Sequence, residues 1–180
     1  MNSSLSLFEI AKTTKDPKLQ KQLVREDDDN VRESLAKNSF LIPRVQQQLA
    51  RNKDSGVRMC LASNPSLVPK LQQQLAIDKE SLVRYDLASN PSIVPEVQQQ
   101  LVMEKDFNVR ESLAGNPSLV LEIQQQLARD KDSNVRMCLA SNPSLIPEIK
   151  QQLIEKSYKN KPVVNYNEDL QKLDKLRNYV

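Results

Sequence analysis

Val31-Arg32-Glu33-Ser34-Leu35-Ala36-Lys37-Asn38 is the stretch that decides the fold, because the chain returns to it. Its Val-Arg pair recurs at Val57-Arg58, Val83-Arg84, Val109-Arg110 and Val135-Arg136, each 26 residues after the last. Self-similarity at a fixed spacing of about 20–50 residues marks stacked repeats, in which each unit buries its apolar row only against its neighbours. Read outward from Val57-Arg58, one unit contains two short helical segments. Asp54 stands at the N-cap of the first, where its carboxylate offsets the helix dipole. Val57, Leu61 and Ala62 share one face. Asn64-Pro65 closes the segment, since Asn tolerates left-handed backbone and the residue before Pro avoids the α region. Ser66 is placed to cap a second segment with Pro69 in its first turn. Leu67, Val68, Leu71, Leu75 and Ala76 give that segment its apolar side, with Gln72, Gln73 and Gln74 on the rest. Nothing alternates with period two, so no strand is expected.

The composition agrees with thin stacked layers. Aromatic residues make up 4 % of the chain and Trp is absent, so the core must come from Leu, Val, Ile and Ala. Two Gly stand against ten Pro, and the prolines fall at fixed repeat positions, where they punctuate structure. The predicted fold is an all-α solenoid of about six two-helix units. Residues 1–30 read as a degenerate N-terminal capping repeat, because Ile10-Ala11-Lys12 and Pro17-Lys18-Leu19-Gln20 echo later units out of register by one residue. Residues 31–156 hold five repeats. Residues 157–180 read as a connector and a C-terminal capping helix over Asn167–Tyr179, striped by Leu170, Leu173 and Leu176.

Met1–Thr14 lacks a basic stretch followed by an apolar one, and no apolar run approaches the ~20 residues a bilayer requires. A cytoplasmic chain with no membrane partner is the expectation. Cys60 and Cys138 hold equivalent positions three units apart. At ~10 Å per layer they lie well beyond the ~7 Å Cα separation a disulfide tolerates, so both are expected as free thiols.

The unit Val-Arg-x-x-Leu-Ala-x-Asn-Pro-Ser-Leu-x-Pro-x-x-x-x-x-Leu-Ala-x-Asp resembles the leucine-rich repeat variant family, over roughly residues 5–156. It is also similar in pattern to HEAT repeats, where an Asp precedes Val-Arg as Asp130 precedes Val135-Arg136. The resemblance implies a right-handed superhelix of alternating α and 3-10 helices without sheet, used as a binding surface. One variant of the family carries an N-terminal cysteine cluster for an iron–sulfur centre. No Cys precedes Cys60 here, so no cofactor is carried over. The unit is slightly longer than the common form, which allows its second segment to be fully α-helical.

Three rows of residues are candidates for function. Arg32, Arg58, Arg84, Arg110 and Arg136 each follow an acid by four residues: Asp28, Asp54, Glu80, Asp106 and Asp132. That is the favourable helical pairing, and it predicts a structural ladder; the alternative is a phosphate-binding stripe. The glutamine triplets, with Gln72, Gln98 and Gln124 as candidate partner contacts, offer an amide face or simply a neutral solvated one. The third helical position reads Glu33, Met59, Tyr85, Glu111, Met137. Met59, Tyr85 and Met137 on a polar row are candidate partner contacts, and Tyr85-Asp86, the least repetitive pair, is the first choice.

Enzymatic chemistry is poorly supplied. The chain has no His, which excludes a Ser-His-Asp arrangement and any imidazole metal site, and Gly56 and Gly115 are too isolated to form a phosphate loop. The function expected is that of a non-catalytic scaffold or interaction module for an unidentified protein. The alternative is a nucleic-acid binder using a basic Arg/Lys face, in which Lys53, Lys79, Lys105 and Lys131 converge with the arginine row.

Overall fold

A computed structural model describes the backbone of residues 6–159 and the side chains of residues 6–154. The expected helix over Asn167–Tyr179 lies outside the described residues. Among them there are twelve α-helices and no strand. The first helices of successive units are α1 (Leu7–Thr13), α3 (Asp29–Ala36), α5 (Ser55–Ala62), α7 (Ser81–Ala88), α9 (Phe107–Ala114) and α11 (Ser133–Ser141). Their partners are α2 (Pro17–Leu23), α4 (Pro43–Leu49), α6 (Pro69–Leu75), α8 (Pro95–Leu101), α10 (Leu121–Leu127) and α12 (Pro147–Lys159). Helix α12 runs unbroken past the boundary expected at residue 156.

Four of the first helices start on an aspartate cap as the sequence suggests, whereas Glu80 at the start of α7 makes no side-chain cap. Asp54 accepts from the Val57 N–H at 3.1 Å, and Asp28, Asp106 and Asp132 make the equivalent cap at Asn30, Asn108 and Asn134. The second helices are α-helical, as the longer unit allows, and not the 3-10 segments that the family resemblance implies: Pro opens most of them and presets φ, and the glutamines that follow are good helix formers. They depart from expectation at their start, because Ser66 does not cap α6. The N-cap is Val68, which offers no side-chain cap, and its own N–H is taken by the Gln46 side chain of the preceding unit at 3.0 Å.

The closing of the first helix is also different from the expected left-handed turn. No described residue other than glycine, and no glycine, has positive φ. Helix α5 ends on Ser63 in the right-handed region, and Asn64 turns inward to 2 % exposure. Its Nδ2 donates to the Ala36 and Asn38 carbonyls of the previous unit at 2.7 and 2.9 Å, while its Oδ1 accepts from the Ser66 N–H at 2.9 Å. Asn90, Asn116 and Asn142 repeat this bridge. The asparagine therefore satisfies the open C-terminal carbonyls of the helix below it, a capping role played between units.

Packing bends the stack. Each first helix lies directly against the first helices of neighbouring units, brought close by fully buried Ala36, Ala62, Ala88 and Ala114. The second helices stand farther apart and touch mainly the first-helix layer. The closer-spaced layer takes the inside of the curve, so first helices line the inner face and second helices the outer. Between the layers, rows such as Val57, Leu61, Leu71 and Leu75 form one continuous core.

Candidate functional site

The three candidate rows separate once the units are stacked. The first glutamine of each triplet is not solvated. Gln72, Gln98 and Gln124 are 1 %, 1 % and 5 % exposed, which removes them as partner contacts. Helical phase explains this: Gln72 lies four residues from both Val68 and Ala76 and so falls inside the apolar stripe. Its Nε2 donates to the Leu67 carbonyl at 3.0 Å and to the Ser92 carbonyl of the next unit at 2.9 Å, and its Oε1 accepts from the Val94 N–H at 2.8 Å. Gln46, Gln98 and Gln124 make the same three contacts, and Gln20 makes them with the Thr14 carbonyl, six residues back, as its local acceptor. A buried amide with both protons donated and its oxygen accepting is a joint between units.

The arginines pair with other acids than those four residues earlier. Arg58 forks onto Asp78 in the turn after α6, with Nε to Oδ2 at 2.7 Å and Nη2 to Oδ1 at 3.0 Å. Its Nη1 donates to the Asn52 and Lys53 carbonyls in the turn before α5. Arg110 repeats this with Asp130, and Arg84 faces Glu104 at 3.2 Å. Arg32 instead pairs with Asp29. The acids at Asp54 and Asp106 are occupied as N-caps, which is why the guanidinium reaches onward. Burial pushes the Asp78 carboxyl up, but the Arg58 hydrogen bond, the Glu80 N–H and the Arg58 charge outweigh it and hold it below its ordinary value. Asp130 is held low in the same way. Arg136 donates to the Asp130 and Lys131 carbonyls; the sequence position 20 residues on, an acid after Arg58, Arg84 and Arg110, is Lys156. Lys53, Lys79, Lys105 and Lys131 are exposed in the same turns, interleaved with these acids and outside the inner face.

The third row remains on the inner face. Tyr85 is 41 % exposed and Met137 66 % exposed, whereas Met59 is half-buried. Glu33 and Glu111 occupy the same column, both half-buried. Beside Tyr85 on α7 is Leu82, 60 % exposed, a surface residue the sequence did not single out; its signal was an apolar residue in a column otherwise filled by Asn30, Gly56, Asn108 and Asn134. The backbone under the pair is tied down: the Ser112 hydroxyl donates to the Tyr85 carbonyl and the Ser89 hydroxyl to the Asp86 carbonyl, both at 2.8 Å. The Asp86 carboxylate is half-buried, pushed up by burial, and takes part in no ion pair among the described residues.

Cys60 and Cys138 are free and half-buried on the same face. Burial pushes the Cys60 thiol up, against the opposing charge of Lys37; burial likewise raises Cys138. Among the described residues no cluster of three or more His, Cys, Asp or Glu is arranged to hold a metal, and no helix is long and apolar enough to cross a membrane.

No protein-family model matches the chain, and no curated protein matches it. Among solved structures, the chain is similar to one described as a leucine-rich repeat variant with a novel repetitive protein structural motif. The identity is 20 %, the TM-score 0.44, and the match covers 76 % of this chain and 70 % of that one. The helical-repeat architecture rests on the chain's own twelve helices and the hydrogen-bonded rows that join its units.

Proposed function

We propose that the chain is a non-catalytic interaction module that seats a protein segment on its inner face, centred on Tyr85 and Asp86. The observation that carries this reading is the Asp86 carboxylate. It is half-buried with no ion-pair partner among the described residues, at a cost to the folded chain, and it sits beside an aromatic ring that a third-position Met or Glu replaces elsewhere. A Lys or Arg of a bound segment would supply the missing charge, while Leu82, Tyr85, Met59 and Met137 would take its apolar side chains. Glu33 and Glu111 extend the same preference for a cationic segment. The nucleic-acid alternative has no comparable support, because these carboxylates would repel phosphate and the arginines are engaged with Asp78, Glu104 and Asp130.

A photoreactive benzophenone side chain placed at position 85, and in a second sample at exposed Gln73 on the outer face, tests the reading. Nuclease-treated lysate should yield one protein adduct from position 85 and none from position 73. The adduct should weaken when Asp86→Asn is added. Adducts that disappear with nuclease, or that form equally from both positions, would count against an inner-face protein site. Tyr85→Ala should weaken capture of the same protein by about tenfold, the loss typical of an aromatic anchor, and leave the melting temperature nearly unchanged.

A further inference from the structure

The outer face carries a charge order that the single chain does not explain. The second residue of each outer helix reads Lys18, Arg44, Lys70, Glu96, Glu122, Glu148 from first unit to last. All six are exposed, and none has an ion-pair partner among the described residues. Three cations occupy one half of the column and three anions the other.

Neither local structure nor stacking favours this order. Carboxylates suit the first turn of a helix, where the dipole attracts them; lysine and arginine at the same position oppose it. Glu96, Glu122 and Glu148 thus have a local role, and Lys18, Arg44 and Lys70 do not. Second helices of successive units stand somewhat farther apart than the ~10 Å of directly packed helices, within the Debye length of roughly 20–30 Å at 10–20 mM salt. Like charges therefore repel along each half, and alternation of sign would have relieved both halves. Segregation gains something only when another column of opposite order lies against it.

We propose that this outer face is a self-complementary interface on which two copies of the chain pair antiparallel. A two-fold axis between α6 and α8 sets Lys70 against the partner's Glu96, Arg44 against the partner's Glu122, and Lys18 against the partner's Glu148. The repeat spacing brings all three into register at once, and symmetry doubles each contact. Exposed Gln47, Gln48, Gln73, Gln100 and Gln125 flank the column and supply amide contacts between copies. The outer face is the convex one, so the two copies meet first at their centres and the Lys70–Glu96 contact is the tightest. A parallel arrangement slid by three units would match charges too. It leaves half of each column unpaired and would recruit further copies into a filament, whereas the antiparallel one closes. The inner face stays open in this dimer, so its occupancy and the pairing are tested separately.

The measurement is the mass of the full chain by light scattering and sedimentation, at sub-millimolar concentration in about 20 mM and about 500 mM salt, where the Debye length falls severalfold. The expected result is a two-chain mass in low salt that falls toward one chain in high salt. Lys70→Glu and Glu96→Lys should each weaken association by about tenfold or more, since each places two like-charge contacts at the centre. The double variant K70E/E96K should return to within about threefold of the original, because the contact is rebuilt with its signs exchanged. The pair K18E/E148K gives the same test at the rim, with a smaller effect. Far-UV circular dichroism confirms that these exposed substitutions leave the helices intact. A one-chain mass in low salt overturns the proposal, as does a dimer indifferent to the single substitutions. A double variant as weak as the singles overturns it as well, because Lys70 would then face Glu148.

Discussion

Gln72→Leu should behave as a core mutation although it replaces a glutamine in a run of three. The substitution keeps the approximate volume and removes all three hydrogen bonds of the side chain. The Ser92 carbonyl belongs to an exposed residue and can take water. The Leu67 carbonyl, in a residue 3 % exposed, and the half-buried Val94 N–H cannot do so readily. Each stranded buried group costs about 1–3 kcal/mol, and the added apolar surface of Leu returns about 1 kcal/mol. For two such groups the net loss is about 1–5 kcal/mol, centred on about 3. For a chain of this size that lowers the melting temperature by roughly 5–10 °C. Gln73→Leu, one residue along and exposed, should stay within about 0.5 kcal/mol. Urea unfolding followed at 222 nm measures both. Because stability in a repeat array is a sum over neighbouring units, Gln72→Leu should also broaden or split the transition by loosening the joint between the second and third full units. Equal effects of the two substitutions would refute the claim that buried amides hold the units together.

Three further outcomes follow, two from charges and one from a glycine. The carboxyls of Asp78 and Asp130 are held below their ordinary value in the folded chain, so the stability they add is complete above the unfolded value of about 3.9 and is lost as the pH falls through the lower folded value. Urea midpoints should therefore drop as the pH falls below about 4, and Asp78→Asn should lower stability at pH 7 while flattening that drop; an unchanged acid limb would show that the fork contributes nothing. Asp86 has the opposite sign. Its carboxyl is pushed up by burial, so stability should rise as the pH falls from neutral through the folded value, and Asp86→Asn should raise the melting temperature at pH 7 and remove that rise. A lower melting temperature would mean that Asp86 is stabilised inside the chain. Gly115→Ala should be neutral or stabilise by up to about 1 kcal/mol: the C-cap backbone of α9 is right-handed, and the one tight contact of the new methyl would be the Cys138 Sγ, at 3.3 Å. A larger loss would show that the thiol cannot yield.

Much of the helix layout was legible because its causes are local. Asp54 caps α5 through a residue three positions away, and Pro69 opens α6 by presetting its own φ. Val57, Leu61 and Leu75 are buried because helical spacing puts them on one side. The misreadings concern side chains whose partners lie in another unit or in the next turn. Asn64 was read as a turn former, yet its bonds go to Ala36 and Asn38. Arg58 was matched to Asp54, its neighbour on the helix, yet it forks onto Asp78. Gln72 was grouped with Gln73 and Gln74 by identity, although its phase relative to Val68 and Ala76 already marked it as inward. Retention of Gln20 in the degenerate first unit, beside Lys21 where later units have Gln, was the second available signal.

The sequence alone determined that identical two-helix slabs must stack, since a 26-residue unit cannot bury its apolar row by itself and the period is unbroken from Val31 to Arg136. Only the tertiary structure decided which polar residues fasten the slabs and which remain for a partner. The Asn and Gln of one unit find carbonyls and N–H groups 20–28 residues away, and such pairings exist only once neighbouring units are in register. The same stacking that consumes those amides leaves Tyr85 exposed and the Asp86 carboxylate with no ion-pair partner among the described residues. It also aligns the Lys18-to-Glu148 column along the outer face.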